Sequence, residues 1–155
     1  MPIERLKECL DKHGIEYISI RHSKAYTAQK IAAATHIPGK ELAKTVMIKV
    51  DGKMAMAVLP ASYHVNFEDL KFSIGAEKVV LANELEFKDI FPQCDVGAMP
   101  PFGNLYGMEV YVAQSLAEDE EIAFNAGTHV ELIKLAYKDF EKLVHPKVLK
   151  FSVLA

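Results

Sequence analysis

Leu42-Ala43-Lys44-Thr45-Val46-Met47-Ile48-Lys49-Val50-Asp51-Gly52-Lys53-Met54-Ala55-Met56-Ala57-Val58-Leu59 decides how this chain folds, because two apolar runs of strand length meet at an Asp-Gly pair. An Asp-Gly pair between such runs favours a tight two-residue turn, so the stretch predicts an antiparallel hairpin of Leu42 to Val50 against Met54 to Leu59. In a strand every second side chain shares a face, which puts Lys44 in line with Leu42, Val46 and Ile48. A lysine there has two uses. Its stem packs while its ammonium reaches solvent, or the ammonium sits in a pocket for a phosphate or carboxylate.

Outward from the hairpin, Ile3, Leu6, Leu10 and His13 recur at helical spacing before Gly14, and Tyr17 to Ile20 reads as a short strand. Thr27 caps a second helix through about Thr35, closed by Ile37-Pro38-Gly39. Downstream, Asn66 to Phe72 is helical and Lys78 to Leu81 a strand. Asn83-Glu84-Leu85-Glu86 is a capping box that leads a helix stopping before Pro92. Gly107 to Val112, Glu121 to Asn125 and His129 to Leu135 are strands, the last two joined by Ala126-Gly127-Thr128. Tyr137, Phe140 and Val144 line a final helix that Pro146 ends. Hairpins interrupted by irregularly placed helices give an α+β fold with a mixed, mainly antiparallel sheet.

Half of the 155 residues are apolar, enough for one domain over 1–155 with a sizeable core. A net charge of -3 with dispersed basic residues argues against a broad grip on nucleic-acid phosphates, but leaves room for contact with one RNA end. Cys9 and Cys94 form no CxxC pair, and the start Met1-Pro2-Ile3-Glu4-Arg5 lacks a signal-peptide core, so a reduced, cytoplasmic protein is expected. No run approaches the roughly 20 apolar residues of a membrane span, so no membrane partner is expected.

Chemistry points first to Gly97-Ala98-Met99-Pro100-Pro101-Phe102-Gly103-Asn104. Its glycines open backbone angles closed to other residues, and its prolines fix φ and remove donors. The loop is therefore either a tight connection or a rigid cradle whose remaining amides meet a carbonyl or oxyanion. His129 follows Gly127-Thr128, where a bend brings an imidazole to a cleft or simply caps a turn. His22 and Thr27 lie in and after a polar connection and carry no role on spacing alone. The six histidines are scattered without metal-ligand spacing, so no metal is expected. GxSxG, P-loop and GxGxxG motifs are absent. Lys134, Lys138 and Lys142 are spaced by four among Asp139 and Glu141, either a basic stripe or a mixed solvated face.

Taken in order, His22 and Thr27, Ala43-Lys44-Thr45-Val46, Gly75-Ala76-Glu77-Lys78-Val79, the 97–103 loop and Asn125-Ala126-Gly127-Thr128-His129 resemble the YbaK/ProX-like aminoacyl-tRNA deacylases. That family is related to the editing domain inserted in bacterial prolyl-tRNA synthetases, and the resemblance covers nearly the whole chain. It implies a barrel-like sheet flanked by helices and a trans-editing factor that hydrolyses the ester of mischarged tRNA, a prolyl-type tRNA carrying a small amino acid. It also implies no metal or organic cofactor. The implied partners are the aminoacyl-tRNA 3′ end and an aminoacyl-tRNA synthetase. Lys44, Gly97, Gly127 and His129 match the family's catalytic positions. His22, Thr27, Ala98, Met99, Pro100, Pro101, Phe102, Gly103 and Thr128 match substrate-binding ones. The chain departs from its relatives at Ala126-Gly127, where two glycines are usual, and in the tandem Pro100-Pro101, which bears on substrate choice.

An aminoacyl ester is already activated, so hydrolysis needs chiefly an oriented water and stabilisation of the charge growing on oxygen, worth about 10²–10³ in rate per donor. The expected mechanism has the 97–103 loop place the carbonyl, Lys44 hold the terminal nucleotide or balance charge, and a ribose hydroxyl assist proton transfer. His129 either transfers protons or shapes the pocket. The competing readings are a non-catalytic module that binds a tRNA 3′ end, nucleotide or partner protein, and a hydrolase of another small ester or amide.

Overall fold

The computed structural model describes residues 2–21, 40–91, 94–95 and 97–154. The expected helix from Thr27 to Thr35, with His22, lies outside them. The hairpin forms as β2 (Leu42–Val50) and β3 (Lys53–Pro60), in register from Val50 opposite Lys53 to Ala43 opposite Pro60. Asp51 (φ 50°) and Gly52 (φ 85°) both take positive φ, which the two-residue turn demands and which explains this pair at this point.

Around the hairpin, α1 (Pro2–Lys12) and β1 (Tyr17–Arg21) precede it. After it come β4 (Tyr63–Val65), α2 (Phe67–Ile74), β5 (Val79–Leu81), α3 (Glu84–Phe87), a 3₁₀ turn (Gly103–Tyr106), β6 (Glu109–Ala113) and α4 (Gln114–Ala117). The chain finishes with β7 (Glu121–Asn125), β8 (Glu131–Ala136), α5 (Tyr137–Val144), β9 (Lys147–Leu149) and β10 (Ser152–Leu154). The main sheet runs β1-β8-β7-β2-β3-β6-β9, with β5 also on β2, and β10 pairs with β4. Pairs β1–β8, β7–β8, β2–β3 and β2–β5 are antiparallel, whereas β2–β7, β3–β6 and β6–β9 are parallel. This is the mixed, mainly antiparallel α+β architecture. The strand path does not close on itself among the described residues, where the resemblance implied a barrel-like sheet.

Alternation along β2 and β3 feeds two cores. Ala43, Met47, Met56 and Val58 join Leu6 and Leu10 of α1, Phe124 and Phe140 on one face. Ile48, Ala55, Ala57 and Leu59 join Leu70, Tyr111 and Phe151 on the other. With both faces covered, β3 is buried from Ala55 to Pro60 and reads as a continuous apolar run. Asn66 caps α2 by accepting the Asp69 N–H. Asn83 and Glu86 form the capping box of α3, each side chain accepting the other's N–H.

Three expectations shift. The strand expected from Gly107 starts at Glu109, because Gly107 (φ 69°) ends the 3₁₀ turn. The strand expected from His129 starts at Glu131, leaving the histidine in the turn. After α5 the chain adds β9 and β10, three-residue strands too short to show a period.

Candidate functional site

Lys44 stands where β2 outruns its parallel neighbour. Leu42 pairs with Ala123 and Ala43 with Phe124, so Lys44 is next in line to Asn125, the last residue of β7 before the 126–130 turn. The lysine is half-buried, and burial pulls its ammonium pKa below the ordinary value. Among the described residues no carboxylate pairs with it. A partly dehydrated ammonium with no ion pair among the described residues has the chemistry to take a phosphate or carboxylate. Asn125 beside it has its side-chain oxygen buried with no hydrogen-bond partner among the described residues.

The glycine and proline loop reaches the same turn. The Asp95 N–H donates to the Gly127 carbonyl at 2.8 Å and the Gly127 N–H to the Ala98 carbonyl at 2.9 Å. The Ala98 N–H returns to the Asp95 carbonyl at 3.0 Å. The Asp95 carboxylate accepts the His129 N–H at 3.1 Å. Gly127 (φ 99°) makes the bend, the Ala126 N–H closes it on the Glu131 carbonyl, and the Thr128 hydroxyl accepts the Val130 N–H. His129 is 8% exposed. Gly97 (φ 84°) lies against it, since a methyl built on Gly97 would stand 3.7 Å from the imidazole Cε1.

The rest of the loop faces inward. Ala98, Met99, Pro100, Pro101, Phe102 and Gly103 are buried, and Phe102 packs on Phe124 and Phe140 with ring centroids 5.5 Å apart in each pair. The Ala98 N–H donates to the Asp95 carbonyl, the Phe102 N–H donates to the Pro100 carbonyl and the prolines have none; of residues 97–103, Gly97 is the exposed one. Gly103 is glycine for a different reason from the one expected: its φ is not positive, and a Cβ there would lie 2.8 Å from Val110 Cγ2 and 3.1 Å from the Met108 carbonyl.

The structure thus joins Gly97, Gly127, Thr128 and His129 directly and brings in Lys44 through strand register. His22 and Thr27 lie outside the described residues. Of the three lysines spaced by four, Lys134 sits on β8 paired with Glu121, and Lys138 and Lys142 share α5 with Asp139 and Glu141. Sequence reasoning missed Asp95, and it quoted Asn125 only within the family-like motif, without a role. No local signal marked Asp95, because the N–H its carboxylate accepts belongs to His129, far away in the sequence. Cys94, next to Asp95, is no nucleophile: burial, reinforced by Asp95, pushes its thiol up to about 11, so it stays protonated near neutrality.

The sequence model of the aminoacyl-tRNA editing domain matches residues 22–143. A protein of Escherichia coli (strain K12) described as the multifunctional Ser/Thr-tRNA deacylase ProXp-y is 28% identical over 96% of this chain and 91% of its own length. A proline–tRNA ligase of Bacillus mycoides is 27% identical over 57% of this chain, a stretch equal to 16% of the ligase. Among solved structures, a candidate trans-editing enzyme for prolyl tRNA synthetase superposes with a TM-score of 0.83 at 16% identity, over 98% of this chain and 97% of the other. The hypothetical protein APE2540 does so with a TM-score of 0.85 at 18% identity, over 96% of this chain and 99% of the other. Among the described residues no helix is long and apolar enough to cross a membrane.

Proposed function

The chain belongs to the aminoacyl-tRNA editing domain family and is an aminoacyl-tRNA deacylase, and from that premise we propose that it clears small amino acids from mischarged tRNA in the cytoplasm. Water attacks the aminoacyl carbonyl carbon, the bond to the terminal ribose oxygen breaks, and that oxygen takes a proton as the free amino acid leaves. Lys44 holds the phosphate of the terminal nucleotide or offsets the charge growing on the carbonyl oxygen. Gly97 lets the carbonyl approach the backbone beside His129. A neighbouring ribose hydroxyl of the substrate relays the proton, so no protein nucleophile is needed. Gly127 and Thr128 shape the turn that presents His129, and Ala98 to Gly103 form the packed wall behind it.

The observation that carries this reading is the half-buried Lys44, unpaired among the described residues, at the strand end that leads into the Gly97–His129 contact. The likeness to a Ser/Thr-tRNA deacylase supports seryl and threonyl esters among the substrates. The likeness to proline–tRNA ligases supports a prolyl-type tRNA and a synthetase as the partner that delivers it. Incubation with tRNAs charged with alanine, cysteine, serine, threonine and proline tests the proposal. Release of at least one small amino acid, lost in Lys44→Ala and reduced in His129→Ala, supports it. Wild-type protein that binds charged tRNA yet leaves every ester intact would make it a binding module instead.

A further inference from the structure

The 94–98 and 126–130 segments come from distant parts of the chain, and three hydrogen bonds among the described residues tie them together. Two are main-chain bonds, Asp95 to Gly127 and Gly127 to Ala98. These fix how the segments lie side by side as far as Gly127. The third tie reaches two residues further, where the Asp95 carboxylate accepts the His129 N–H. That bond acts on the main chain of the residue whose imidazole faces Gly97. Asp95 is itself exposed, so its side chain adds nothing to either core.

We infer that Asp95 is a positioning residue of the site: its carboxylate latches the His129 amide and so holds the imidazole against Gly97. The role rests on the deacylase reading for its effect on rate, but the latch exists whether or not that reading holds. Displacing a reacting group by about 1 Å can cost about 100-fold, so a latch on main chain adjoining the imidazole carries weight even though it touches no substrate. The requirement is for an acceptor at this place rather than for a charge. Asparagine, isosteric and still an acceptor, replaces it, and alanine does not.

The test compares Asp95→Ala, Asp95→Asn, His129→Ala and the double variant Asp95→Ala/His129→Ala, each first checked for wild-type thermal unfolding. Asp95→Ala is expected to lower kcat about 10- to 100-fold with KM within about twofold, and Asp95→Asn to stay within about threefold of wild type. In the His129→Ala background Asp95→Ala should cost little more, because the group it positions is gone. A full wild-type kcat in Asp95→Ala, an Asp95→Asn variant as slow as Asp95→Ala, or equal costs in both backgrounds would each overturn the assignment. Independently of turnover, the His129 imidazole NMR resonance should move or broaden in Asp95→Ala and stay in place in Asp95→Asn. An unmoved resonance in Asp95→Ala overturns the latch. A moved one, in a protein that deacylates nothing, overturns only the deacylase reading.

Discussion

The two ends of β2 contrast sharply. At the turn end the chain's own polar groups engage one another: the Asp51 carboxylate accepts the N–H groups of Glu77 at 3.0 Å and Lys78 at 2.8 Å, and Lys49 pairs with Glu86 at 2.6 Å. At the other end Lys44 is half-buried without an ion pair among the described residues, next in register to Asn125, whose buried side-chain oxygen has no hydrogen-bond partner among them. Groups satisfied within the chain build the fold. Groups buried but left open are, on the proposed reading, where a ligand completes the structure.

The strongest way to break this contrast is to treat the two lysines alike. Lys44→Ala should lower kcat/KM for deacylation by about 100-fold, the scale on which charge-stabilising groups act, while Lys49→Ala leaves it unchanged. Stability should separate them with the opposite sign. Burial lowers the pKa of Lys44, so just below the ordinary lysine value of 10.5 the unfolded chain binds more protons than the folded one, and stability rises with pH through that window. Lys44→Met removes that rise, and Lys49→Met keeps it. Urea titrations at several alkaline pH values read the slope, and an unchanged slope in Lys44→Met would show that the lysine is not dehydrated in solution.

The same distinction divides two glycines of one loop. Gly97→Ala forces a side chain into φ 84° beside His129 and should cost about 1–2 kcal/mol of stability together with about tenfold in kcat. Gly103→Ala sets a methyl 2.8 Å from Val110 Cγ2 and should cost about 1–3 kcal/mol by overpacking, with activity per folded molecule intact. Denaturant unfolding paired with turnover per folded molecule checks both. Equal loss of kcat in the two variants would mean the loop works as one rigid piece rather than as an exposed edge on a packed support.

Local chemistry made the hairpin, the helix beginning near Asn66, the Asn83 capping box and the apolar face of α5 legible, since each is written within a few consecutive residues. Position in the sheet was not. The parallel pairs β2–β7, β3–β6 and β6–β9 join segments far apart in sequence, and β4, β9 and β10 are three residues long, below any readable period. The site was half legible for the same reason. Lys44 stood out because a charge interrupts an apolar face, and Gly97 because a glycine precedes two prolines. Asp95 looked like any polar loop residue, because its partner is the main chain of His129 and no side-chain pattern announces a backbone N–H. Gly103 was misread because sequence does not distinguish a glycine needed for its φ from one needed for close packing.

The smallest expected effect lies at the satisfied end, and it sharpens the contrast by sparing activity. Asp51 does two jobs: its backbone holds φ 50° in the turn, and its carboxylate receives the two N–H groups that lead into β5. Asparagine does both, because it tolerates the left-handed conformation and keeps an acceptor at the same distance. Asp51→Asn should therefore unfold within about 0.5 kcal/mol of wild type. Alanine does neither, and Asp51→Ala should lose about 1–2 kcal/mol from positive φ and the two missing hydrogen bonds. Lys44 lies at the far end of the strand, so kcat per folded molecule should be unchanged in both variants. A fall in kcat for Asp51→Ala at full folding would mean that strain in the turn travels along β2, making the two ends one coupled element.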